Sequence, residues 1–145
     1  MFEQIVKDGE IVAIIIPHSF HESGIKFVTP DDFSQQVAFM NHPVGKVIEP
    51  HLHNLVPRTV HYTQEVLFIR RGRLRVDFYD DATNYLESRI LEAGDTLLLA
   101  SGGHGFEVLE EIEMIEVKQG PYAGDQDKTR FAAASRIVVG NGDAL

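Results

Sequence analysis

Residues 45–72 read G-K-V-I-E-P-H-L-H-N-L-V-P-R-T-V-H-Y-T-Q-E-V-L-F-I-R-R-G. The stretch holds three of the seven histidines, a glutamate that opens an apolar run and a glycine at each end. On a strand, residues i and i+2 face the same side. Val47–His53, read as a strand, therefore turns the imidazoles of His51 and His53 towards one point. Glu65 opens E-V-L-F-I, a second strand. Reversal across the eleven residues between His53 and Glu65 would set the carboxylate beside the histidines. Two imidazoles and a carboxylate on neighbouring strands make a metal shell, and His104, in S-G-G-H-G, can supply a fourth donor. The requirement is strict, because the donor atoms must converge at roughly 2.0 to 2.3 Å from the ion.

Outward from this stretch, the pattern predicts strands. V/I-rich residues 11–16 form one, ended by Pro17, and residues 25–28 form a short one. Thr29-Pro30-Asp31-Asp32-Phe33 has the cap, proline and acids of a helix start, for a turn or two. Residues 35–40 alternate as a strand. Past Gly45, short strands recur at roughly ten-residue spacing: residues 65–70, 74–79, 86–91, 96–100, 106–109 and 112–118, with turns between them. This spacing predicts an all-β chain, an antiparallel sandwich or barrel. Residues 121–130 are polar and read as an ordered loop covering the barrel. A helical turn at residues 131–134, an edge strand at residues 136–139 and a frayed end complete a single domain, residues 1–145.

Composition narrows the function classes. The formal net charge is -9, whereas a nucleic-acid or anionic-membrane partner calls for a basic footprint. With no cysteine, there is no disulfide framework, thiolate site or cysteine nucleophile. Any metal is held by N and O donors, which admits one divalent transition metal per chain: Fe, Mn, Ni, Cu or Zn. The N-terminus lacks the basic and apolar regions of a signal peptide. The longest apolar run, residues 11–17, is far too short for a membrane span. The expectation is a soluble, cytoplasmic protein.

Each candidate also has an ordinary reading. His-x-His describes equally well two polar side chains on a sheet, and His104 a polar residue in a glycine turn. His61 rivals His53, because it can share a loop–strand junction with Glu65. His18, His21 and His42 fall in expected loops. Arg58, Glu107, Lys118 and Gln119 come off elements near the pocket mouth, where Tyr62 and Tyr122 can line it. There is no P-loop, G-x-G-x-x-G or nucleophile elbow.

The stretch resembles the cupin superfamily. The first cupin motif is Gly, five residues, His-x-His, a gap, Glu, six residues and Gly. Gly45, His51, His53, Glu65 and Gly72 match it in order, with five residues from Gly45 to His51 and six from Glu65 to Gly72. The second motif begins at Gly94. Ala100 stands where its proline would be, Gly102 fits, His104 comes one residue early, and Val108 replaces the usual Asn. The gap before Glu65 is eleven residues, longer than the family's three or four, and it places His61 at a family-like distance from Glu65. The resemblance spans about half the chain, from Gly45 to about Val117. It implies a jelly-roll barrel, a double-stranded β-helix, holding a divalent metal through His51, His53, Glu65 and His104. The chain also loosely resembles small bacterial cupins that accompany surface-polysaccharide genes.

Such a site favours a metal-dependent enzyme, of isomerase, epimerase or dioxygenase type, acting on a small polar or sugar-like molecule. Glu65 as a ligand is not a free base, so His61, then Glu107, are the candidate catalytic bases. The other classes are a non-catalytic binding or sensor module and a structural barrel without metal. A homodimer is expected, because Val66, Phe68 and Arg70 form a second face on a strand whose other face is already apolar. That face needs a partner or the N-terminal strand to cover it.

Overall fold

The computed structural model of the chain describes residues 1–134, and these form an all-β structure. The strands are β1 (Glu3–Lys7), β2 (Glu10–Ile16), β3 (Gly24–Phe27), β4 (Ala38–Asn41), β5 (Glu65–Tyr79), β6 (Tyr85–Glu92), β7 (Thr96–Leu99) and β8 (Gly103–Lys118). A single 3-10 turn spans Gly124–Asp127. The main sheet runs β1-β2-β7-β5-β6, with β8 also paired to β5, and β3–β4 form a separate hairpin. All pairings are antiparallel. The sheet curls into a half-barrel around β5.

β5 is central because it is long and bent. Its first residues, Glu65–Phe68, pair with β7 on one side and the end of β8 on the other. Its second half pairs with β6 and the beginning of β8. Leu67 and Ile69 face the core in the first half, and Leu74, Val76 and Phe78 do so in the second. The inward parity switches from odd to even, and the register with β8 slips between Ile69 and Leu74, which marks a bulged corner. Gly72 permits this corner. Its φ is 92°, and a Cβ there would run into the carbonyl oxygen of Glu111 on β8. The sequence pattern predicted two strands, residues 65–70 and 74–79, one on each side of the corner. The backbone instead runs through as one bent strand, because a bulge bends a ladder without ending it.

The core lies in two layers. Leu67, Leu74, Val76, Phe78, Leu91 and Leu97 are fully buried on the concave side with Ile5, Val12 and Ala13. On the convex side Val66 packs with Ile14, Phe20, Val28 and Leu98, and Phe33, Val37 and Phe39 lie against them. Val66 is thus covered within the chain, so it does not need a partner. Phe68 remains exposed. Residues 30–33 close a single hydrogen-bonded turn, Phe33 N to Pro30 O, rather than a helix, and residues 131–134 form no helical turn. The N-terminal β1, which the pattern had not shown, completes an edge with β2. The expected edge strand at residues 136–139 and the frayed end lie outside the described residues.

The main departure is at residues 42–64. No strand forms there, Val47–His53 included, and every residue from 43 to 63 is exposed. Among the described residues, a backbone hydrogen bond from Lys46 N to Pro43 O turns the chain at the start of this stretch. The next is Gln119 N to Gln64 O. Pro50 and Pro57 fix φ and bias their preceding residues, Glu49 and Val56, towards extended backbone.

Candidate functional site

The corner in β5 and β8 folds both strands back, so both ends of each reach one mouth of the half-barrel. Glu65 opens β5, Lys118 closes β8 and His104 lies at its start. Glu65 Oε2 stands 3.6 Å from His104 Nε2, and Glu65 Oε1 stands 3.7 Å from Lys118 Nζ. His104 pairs across the ladder with Phe78, so its ring is on the concave face, and Phe106 and Val108 follow it there opposite Val76 and Leu74. The Glu65 side chain is 13% exposed and that of His104 30%. Burial pushes the His104 pKa below the ordinary histidine value, against the opposing pull of Glu65 and Glu116.

A cavity of about 730 Å³ opens over the pair, with Thr63, Tyr79, Asp127, Arg130 and Phe131 among its walls. Phe131 packs edge-on against Tyr79, with centroids 4.9 Å apart. The 3-10 turn brings Asp127 across the mouth, where it takes a hydrogen bond from the Thr63 hydroxyl and an ion pair from Lys118 Nζ at 3.3 Å. The bond to Asp127 raises the Lys118 pKa, and the bond from Thr63 lowers that of Asp127. The polar 121–130 segment does cover this end as an ordered loop. The sequence did not single out Asp127, Thr63, Tyr79 or Phe131. Their part in the site comes from where the loop returns, which no local pattern encodes.

The other expected site residues are placed apart. His51 and His53 are in the exposed stretch, rings 5.4 Å apart, with His51 Nδ1 2.9 Å from the Glu49 carbonyl. His61 lines an adjoining cavity with Tyr62, Tyr122 and Arg58, and that cavity shares Thr63 and Asp127 with the first. Glu107 alternates to the opposite face of β8, where it pairs with Arg75 Nη2 at 2.6 Å. Arg75 also donates to the buried Asp77, which accepts from Ser88 at 2.7 Å. Glu107 thus belongs to a structural network and is not at the cavity.

Among the described residues, no three of His, Cys, Asp or Glu converge as a metal shell within one chain. A single chain brings together two donors, Glu65 and His104. They fit half of the expected ligand set, and the residues of one chain as it stands do not fit the whole. Comparisons with protein-family models, curated proteins and solved structures find no match. Among the described residues, no helix is long and apolar enough to cross a membrane.

Proposed function

We propose that this chain is a metal-binding protein of the cupin class, a jelly-roll barrel whose ion sits at the Glu65–His104 mouth. More particularly, we read it as a metal-dependent enzyme, of isomerase, epimerase or dioxygenase type, on a small polar or sugar-like molecule. The approach of Glu65 to His104 supports this most, because two motif positions 39 residues apart in sequence meet at a cavity. The cavity holds a small molecule, and its Asp127, Lys128 and Arg130 can hydrogen-bond hydroxyls or a carboxylate. A divalent ion there would supply Lewis acidity. Of the two proposed bases, His61 is the nearer candidate, at the adjoining cavity. One observation favours the non-catalytic alternative, a small-molecule-binding or sensor barrel: Lys118 already neutralises Glu65 without a metal.

Elemental analysis of protein made in metal-supplemented medium tests the reading. About one equivalent of Fe, Mn, Ni, Cu or Zn per chain is expected. Less than about a tenth of an equivalent, with none taken up on titration, would leave only the binding or structural alternative. Lys118→Met provides a second check. Removing an ammonium that competes for Glu65 should tighten metal binding roughly threefold to tenfold in a competition titration. Weaker binding would instead make Lys118 a support for the site.

A further inference from the structure

The adjoining cavity, the one lined by His61, differs from the rest of the molecule in its charge. Its volume is about 730 Å³, and its walls carry Arg58, Lys118, Lys128 and Arg130 against Asp125 and Asp127. That is an excess of two positive charges in a chain whose formal net charge is -9. On the main sheet, Arg71, Arg73, Arg75 and Arg89 each meet a carboxylate. Lys118 is held likewise, between Glu65 and Asp127. Arg58, Lys128 and Arg130 have no ion-pair partner among the described residues. Like charges gathered on a concave wall repel one another, and the low-dielectric walls focus their field on whatever enters. Tyr62 and Tyr122 line the same cavity and stand 60% and 95% exposed. Neither hydroxyl has a hydrogen-bond partner among the described residues, so both can donate to a ligand.

We propose that this cavity binds the phosphate or diphosphate group of a small metabolite, held by Arg58, Lys128 and Arg130. Charge decides between anions. A carboxylate brings one negative charge and leaves half the excess uncompensated, whereas a phosphate monoester carries about 1.5 to 2 negative charges near pH 7. Donor geometry agrees. Each guanidinium offers a fork of N–H groups that matches two phosphate oxygens, and the ammonium adds a point charge. A cavity of this size encloses a small molecule, while the chain's net negative charge opposes a polyanion such as nucleic acid. Lys128 and Arg130 also line the cavity over Glu65 and His104. A phosphate seated on them therefore leaves the rest of its molecule over that pair. The proposal rests on the small-molecule reading above for what lies beyond the phosphate. The anion site itself needs neither that reading nor a metal.

Isothermal titration calorimetry of the full chain tests this. The protein is first stripped of metal with a chelator and then dialysed into chelator-free Tris buffer. Sodium chloride at about 150 mM screens long-range surface attraction. The probes are inorganic pyrophosphate, inorganic phosphate and acetate. Pyrophosphate should bind at about one per chain, phosphate more weakly, and acetate not at all at about 1 mM. Arg58→Gln and Arg130→Gln should each weaken pyrophosphate binding about tenfold or more, because each removes hydrogen bonds to a charged group. Arg70→Gln is the control. It removes the same charge from an exposed position at the corner of β5, away from the cavity, and should change nothing. No pyrophosphate binding at about 1 mM overturns the site. So does acetate binding as well as phosphate, or an equal loss in Arg70→Gln, or no loss in Arg58→Gln and Arg130→Gln. Failure of the metal reading looks different: a protein that binds pyrophosphate but never takes up metal keeps the anion site and loses only the ion.

Discussion

Glu65→Ala is expected to weaken metal binding at least about a hundredfold. The carboxylate is the only anionic donor proposed for the site, and its loss leaves Lys118 Nζ, still paired with Asp127, facing the same point. Changing a residue that merely orients a ligand costs about tenfold to a hundredfold, so removing a ligand and leaving a cation behind should cost no less. Titration with Zn(II) against a chromophoric competitor reads the effect. Glu65→Gln should lose nearly as much, because it keeps the shape and removes the charge. His18→Ala provides the control. His18 lies outside the mouth cavity, with its amide bonded to Asp95, so its loss should leave the metal affinity unchanged. A Glu65→Ala protein that binds metal as wild type does would place the ion elsewhere.

Gly72→Val is expected to destabilise the fold strongly. The residue sits at φ 92°, where a β-branched side chain is an outlier. The added atoms would meet the Glu110 and Glu111 carbonyl oxygens. Strain of about 1–3 kcal/mol adds to the cost of shifting the corner and its ladder hydrogen bonds. The sum is on the order of 3–5 kcal/mol. For a chain of this length that lowers Tm by roughly 10–20 °C. Scanning calorimetry measures it. Gly105→Val is the comparison, because nothing lies near a Cβ built there. Equal losses in both variants would show that the corner imposes no special constraint.

The strands flanking the corner were legible on different grounds, residues 65–70 as an apolar run behind Glu65 and residues 74–79 by the alternation of Leu74, Val76 and Phe78. The corner itself was legible only as a turn. Arg70–Arg73 carries no apolar residue to report the change of parity, so one bent strand reads as two. Glu65 was singled out as the residue that opens an apolar run and His104 by its glycine-rich turn, and their side chains stand 3.6 Å apart. Val47–His53 shows the limit of the method. Its sequence can form a strand, but a strand needs a neighbour, and among the described residues none pairs with it. Periodicity reports which side chains can share a face. It does not report which edge, or which copy of the chain, supplies the pairing groups. Glu107 was misplaced for a simpler reason. It is one residue away from Phe106, and a step of one along a strand puts a side chain on the other face, where Arg75 holds it.

The central proposal is a metal ion at Glu65 and His104, with His51 and His53 as the further ligands that the cupin resemblance implies. X-ray absorption spectroscopy of the zinc- or iron-loaded protein tests it most directly, because outer-shell scattering from rigid imidazole rings counts histidine ligands. The account predicts a shell of N and O donors at about 2.0–2.2 Å with the signature of three imidazoles. The spectrum of His51→Ala/His53→Ala, if that variant can be loaded at high metal concentration, should fall to one imidazole. A wild-type spectrum without imidazole scattering, or one unchanged by the double substitution, would contradict it.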